Sequence, residues 1–105
     1  MYENRIVVYV DPDLEDLIPT FLGNRHRDVE EINRLLEQEN LEEIKRLGHS
    51  MKGAGGGYGF DEITEIGREI EEAAKNKDKL EIEKLNMRLN EYLAVVMIVI
   101  QNDEL

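Results

Sequence analysis

Leu41-Glu42-Glu43-Ile44-Lys45-Arg46-Leu47-Gly48-His49-Ser50-Met51-Lys52-Gly53-Ala54-Gly55-Gly56-Gly57-Tyr58-Gly59-Phe60 begins as an amphipathic helix and ends in glycine. Leu41, Ile44, Leu47 and Met51 recur at three- and four-residue steps, the period of one helix face. Six of the eight glycines lie between Gly48 and Gly59. Each costs a helix interior about 1 kcal/mol relative to alanine. Part of the run is therefore expected to end the helix by supplying left-handed backbone, and the rest to permit a close helix–helix contact.

Helical patterns continue on both sides. Downstream, from about Asp61, Ile63, Ile66, Gly67, Ile70, Ala73 and Ala74 share a face. After Asn76-Lys77-Asp78, the pair Asp78 and Glu81 reads as a capping box. The last stripe runs Ile82, Leu85, Leu89, Tyr92, Leu93, Val96, Val99 and Ile100. Upstream, Val29, Ile32, Leu35 and Leu36 mark a helix that Asn40 separates from the next. Before it, Asp11-Pro12 opens a helical signal carrying Leu14, Leu17, Ile18, Phe21 and Leu22, with Pro19 expected to kink or shorten it and Gly23-Asn24 to break it. Short connections make sequential helices antiparallel neighbours. The fold class is thus all-α: an up-down antiparallel four-helix bundle, its core at about residues 25–100, with a short extra N-terminal helix, in one domain covering residues 1–105.

At its C-terminal end the last helix is apolar nearly all round, because Ala94, Val95, Met97 and Ile98 add to its stripe. Ile6–Val10 and the first helix are expected to cover it, so a monomer is expected over a homodimer seam.

The chain has 105 residues, no cysteine and a formal net charge of −11. Absent cysteine excludes disulfides, cysteine zinc sites and thiol catalysis. The acidity argues against nucleic acid and anionic membranes, whose phosphates need clustered Lys and Arg. No apolar run approaches the roughly 20 residues of a membrane span, and Ile6–Val10 is too short for a secretory signal. Asn102–Leu105 faintly resembles a retention signal, which has no meaning without secretion. A cytoplasmic location is expected.

The glycine run is no nucleotide loop: G-x-G-x-x-G spacing is not met, Lys52 precedes the glycines, and no strand leads in. His49 stands about 200° around the helix from Leu47 and from Met51, on the flank or exposed side. Lys52 and Gly53, at i+3 and i+4, share its face, and Gly56 extends it if the helix reaches that far. A neutral imidazole can attack phosphorus through a ring nitrogen, and an ammonium one turn away can neutralise phosphoryl oxygens. With the turn near Phe60, antiparallel pairing puts His49 level with Glu71. A carboxylate accepting from Nδ1–H would leave Nε2 free, although its charge would also sit near the phosphoryl group; alternatively Glu71 merely solvates the helix. His26, between Arg25 and Arg27, has no visible partner and reads as a surface residue. The acidic runs read as solvated faces with weak ion pairs. No metal site is expected.

His49-Ser50-Met51-Lys52-Gly53, with Gly59 following and small residues at Ala54–Gly57, resembles the motif of histidine-containing phosphotransfer (HPt) domains. The resemblance extends over nearly the whole chain. It implies that His49 is phosphorylated, that Lys52 stabilises the phosphoryl group, and that Gly53, Gly56 and Gly59 keep a docking face open and end the helix. Many such domains carry glutamine where this chain has Glu71. The resemblance further implies a phosphorelay carrier without kinase activity or cofactor of its own. Its partner would be a response-regulator receiver domain or hybrid histidine kinase that brings Mg²⁺, docking beside His49 on the helices carrying Val29–Leu36 and Leu41–Met51. The second reading is a helical module that binds a receiver or kinase without being phosphorylated.

Overall fold

The computed structural model describes residues 5–101; the Asn102–Leu105 tail lies outside them. Strand β1 (Ile6–Val10) leads into a 3-10 helix (Pro12–Leu17), followed by helices α1 (Ile18–Glu37), α2 (Leu41–Tyr58), α3 (Asp61–Lys75) and α4 (Lys79–Val95), and strand β2 (Val96–Ile100). Two or three residues connect successive long helices. The four-helix up-down bundle expected from the apolar stripes is thereby formed.

Sequence chemistry sets several of the helix ends. Asp11 Oδ1 accepts from Asp13 N–H at 2.8 Å, and Pro12 occupies the first helical turn. Asn40 caps α2 by accepting from Glu43 N–H, and Asp78 caps α4 by accepting from Glu81 N–H. Gly59, at φ +86°, closes α2 in the left-handed region, where a Cβ would be strained. Phe60 then turns into the core and is fully buried.

Two expectations are corrected at the N-terminal side. Pro19 starts α1 rather than kinking it, since the first helical turn needs no N–H donor there. The helix also passes through Gly23-Asn24 unbroken, because the buried stripe Ile18, Phe21, Arg25, Val29, Ile32, Leu35 is continuous. Arg25 disguised it. Its guanidinium lies 4.9 Å from the Phe21 ring centroid and 2.8 Å from Asp28, so the stem is buried while the charge is paired. The short extra N-terminal helix is the 3-10 helix Pro12–Leu17, which runs directly into α1.

The C-terminal stripe is corrected as well. Helix α4 stops at Val95, and Val96 is already extended at φ −70°, ψ 133°. The β-branched run from Val95 onward favours strand over helix, and Ile6–Val10 offers a partner. The strands pair in parallel, Ile6 opposite Val96 through Val10 opposite Ile100. The N-terminal segment thus covers β2 by pairing along its edge. Val7, Tyr9, Met97 and Val99 stay exposed.

Inside the bundle, Ile32, Ile44, Met51, Ile63, Ile66, Ile70, Ile82 and Leu89 are fully buried. Asn86 is the polar exception on α4. Its amide donates to the Val29 carbonyl and to Asn33 Oδ1, both at 3.0 Å, tying α4 to α1. Surface carboxylates pair along their own helices, as in Glu31–Arg34, Glu42–Lys45, Glu43–Arg46 and Glu65–Arg68. Such exposed pairs, screened by water and salt, add little to stability. No helix among the described residues is long and apolar enough to cross a membrane.

Candidate functional site

Helices α2 and α3 approach so closely that their backbones touch. A Cβ built on Gly48 would lie 2.7 Å from Glu71 N and 2.8 Å from Gly67 O; one on Gly67 would lie 2.6 Å from Lys52 N and 2.8 Å from Gly48 O. One on Gly55 would meet Thr64 Oγ1 at 2.6 Å and Thr64 N at 2.8 Å. Apart from Thr64 Oγ1, these are backbone atoms that cannot swing aside. The turn at Gly59-Phe60 sets this register, with position 48 beside 71, 52 beside 67 and 55 beside 64. Close approach of two main chains is what glycine permits and alanine does not.

That contact brings three polar side chains together on the outer rim of the seam. His49 Nδ1 and Glu71 Oε2 are 3.1 Å apart, and Lys52 Nζ lies 3.1 Å from Glu71 Oε1. The His49 side chain is 68% exposed and that of Glu71 27%, so the carboxylate sits beneath an accessible ring. Glu71 is held below the ordinary carboxylate value, first by its hydrogen bond from Lys52; partial burial opposes this, and the His49 hydrogen bond adds to it. A carboxyl group lowered in this way is ionised at neutral pH. The clamp is complete above the ordinary carboxylate range and is lost as pH falls through the lowered value. With the carboxylate accepting, Nδ1 carries the hydrogen, which makes Nε2 the nitrogen with the lone pair in a neutral ring.

Beyond His49 along α2 the surface is bare. A Cβ at Gly53 or Gly57 would meet nothing within 4 Å, and one at Gly56 only Thr64 Oγ1 at 3.7 Å. Helix α2 continues through all three, so the open strip reaches the helix end at Gly59. On its other side the ring borders a shallow groove lined by Glu42, Glu43, Lys45, Arg46 and Glu71. Its charged lining comes from α2 and from Glu71 of α3. His26 is exposed on α1. Among the described residues, no group of three or more His, Asp or Glu side chains is placed to hold a metal ion.

The structure thus assembles His49, Lys52 and Glu71, and sets Gly53, Gly56 and Gly59 along the same helix. The Gly48–Gly67 contact and the Lys52–Glu71 ion pair are additional to the sequence reading. Gly48 could have been found, since it lies four residues after Ile44 on the buried side of α2.

An antiparallel helical bundle presenting an oriented, exposed imidazole beside an ammonium group is the architecture of a phosphoryl-carrying module. The family model of the Hpt domain matches residues 16–96, most of the chain, and the chain belongs to that family. No curated protein and no solved structure matches it. Its function is histidine phosphotransfer in phosphorelay signalling, as a phosphoryl-carrying intermediate rather than a catalyst in its own right. Domains of this family generally work with receiver or hybrid kinase domains.

Proposed function

We propose that His49 is the phosphorylated residue. It accepts the phosphoryl group through Nε2 from a receiver-domain aspartate or a hybrid histidine kinase, and passes it to another receiver. One observation carries this reading: Glu71 occupies Nδ1 at 3.1 Å while the side chain stays 68% exposed, which leaves Nε2 as the outward nucleophile. Lys52, one turn along, supplies the positive charge for the phosphoryl oxygens. The partner receiver brings Mg²⁺ and most of the catalytic machinery. The protein acts in the cytoplasm as a monomer.

Incubation with a panel of phosphorylated receiver domains tests the reading. Acid-labile, alkali-stable label on the protein is the expected result. Binding without any label would move the function to a non-phosphorylated regulator of receivers.

Gly53 belongs to the docking face in this account. Because a side chain there meets open space, Gly53→Leu is expected to fold with unchanged circular dichroism. Its rate of phosphoryl acceptance should fall at least about tenfold, a cost of about 1.4 kcal/mol at the encounter complex. Acceptance at the wild-type rate would remove this strip from the interface.

A further inference from the structure

The two oxygens of Glu71 are divided between the two groups on which transfer depends: Oε2 holds the His49 ring and Oε1 the Lys52 ammonium. A neutral amide could make the same hydrogen bond to Nδ1–H. The carboxylate therefore adds something that orientation alone does not need. We propose, resting on the reading of His49 as the phosphorylated residue, that Glu71 is a positioning residue that makes the phosphoryl group short-lived on His49 and quick to leave.

The electron and proton balance shows how. The Nε2 lone pair forms the P–N bond as the P–O bond to the receiver's aspartyl carboxylate breaks, and the carboxylate keeps that electron pair. No proton moves. The ring already carries hydrogen on Nδ1, so the phosphorylated ring bears a positive charge. In that form it leaves as neutral imidazole when the P–N bond breaks. Having lost the Nδ1 proton, it would have to leave as an imidazolide anion, a far poorer leaving group. An anion against Nδ1–H favours the cationic ring and so keeps the phosphoryl group labile.

Lys52 pushes in the same direction. Its ammonium is shared between Glu71 and the incoming phosphoryl oxygens, so those oxygens are less fully neutralised than beside a free lysine. Glu71 itself stands as a like charge next to them. The other charged groups lining the groove are Glu42, Glu43, Lys45 and Arg46. Glu42 is paired with Lys45 and Glu43 with Arg46, which leaves Glu71 as the carboxylate in contact with the ring.

The test compares wild type, Glu71→Gln and Glu71→Ala after labelling by a phosphorylated receiver and removal of that receiver. The readout is the lifetime of the acid-labile label across the pH range in which imidazole titrates. Glu71→Gln keeps an acceptor for Nδ1–H and removes the charge. Its label is expected to last roughly tenfold longer near neutral pH, the scale on which one adjacent charge moves a protonation equilibrium. The loss of lability should also begin at lower pH than in wild type. Glu71→Ala should lengthen the lifetime too, and accept the phosphoryl group more slowly because the ring is no longer held. A wild-type lifetime and pH profile in Glu71→Gln would overturn the proposal and reduce Glu71 to an orienter. Label that persists in His49→Gln would overturn the reading beneath it instead, so the two failures are distinguishable.

Discussion

His49→Gln is expected to abolish labelling by every phosphorylated receiver while leaving the bundle folded. The side chain is 68% exposed and is positioned by Glu71. Exposed substitutions of this kind change stability by about 0.5 kcal/mol or less. Glutamine suits a helix interior slightly better than histidine, and its amide can still donate to Glu71. What disappears is the nucleophile, since an amide nitrogen has no available lone pair for phosphorus. Label should therefore fall to background rather than to a fraction. His26→Gln, on the exposed face of α1, should be labelled like wild type. Retained label on His49→Gln with a native melting temperature would remove His49 from the chemistry.

Much of this site was legible in the sequence because it sits on two helices whose register one turn determines. Once the α2–α3 turn is placed at Phe60, helical geometry alone brings position 71 level with position 49, and the structure puts the two side chains 3.1 Å apart. The apolar stripe of α3 was likewise readable, because all six of its predicted members are buried. What escaped was polarity standing where a hydrophobic residue is the usual signal. Arg25 holds a buried stripe position of α1 by laying its stem on Phe21, and so the helix looked broken.

Strand β2 escaped for a different reason. A continuous apolar run fits a buried helix and a buried strand equally well. The choice was made by a partner ninety residues away in the chain, β1, which no local pattern can report. The Lys52–Glu71 ion pair required knowing how closely α2 and α3 approach, and that distance is set by absent side chains at positions 48 and 67.

Gly67→Ala puts that last dependence to the test. A methyl group at this position would stand 2.6 Å from Lys52 N, 2.8 Å from Gly48 O and 3.1 Å from the Lys52 Cα. All three are backbone atoms of α2, so relief comes only from moving one helix against the other. With backbone atoms this close, overpacking falls in the upper part of its usual range, about 2–3 kcal/mol. The gain from replacing glycine by alanine in a helix, about 1 kcal/mol, offsets part of it. A net loss of about 1–2 kcal/mol is expected, which lowers Tm by roughly 5–15 °C in a domain of this size. Gly53→Ala is the paired measurement, because a Cβ there meets nothing within 4 Å. There, on the same helix face as His49 but facing open space, the substitution should raise stability by up to about 1 kcal/mol. Opposite signs from one chemical change separate backbone contact from helix propensity. The functional consequence follows from the same displacement: a shift of about 1 Å between α2 and α3 takes Glu71 out of hydrogen-bond range of His49. Phosphoryl acceptance by Gly67→Ala, measured well below its Tm, should therefore fall about tenfold or more, since misplacement on this scale costs up to about a hundredfold in rate. A Tm within a degree or two of wild type, or full acceptance by the folded variant, would show that α2 and α3 can separate without disturbing the site.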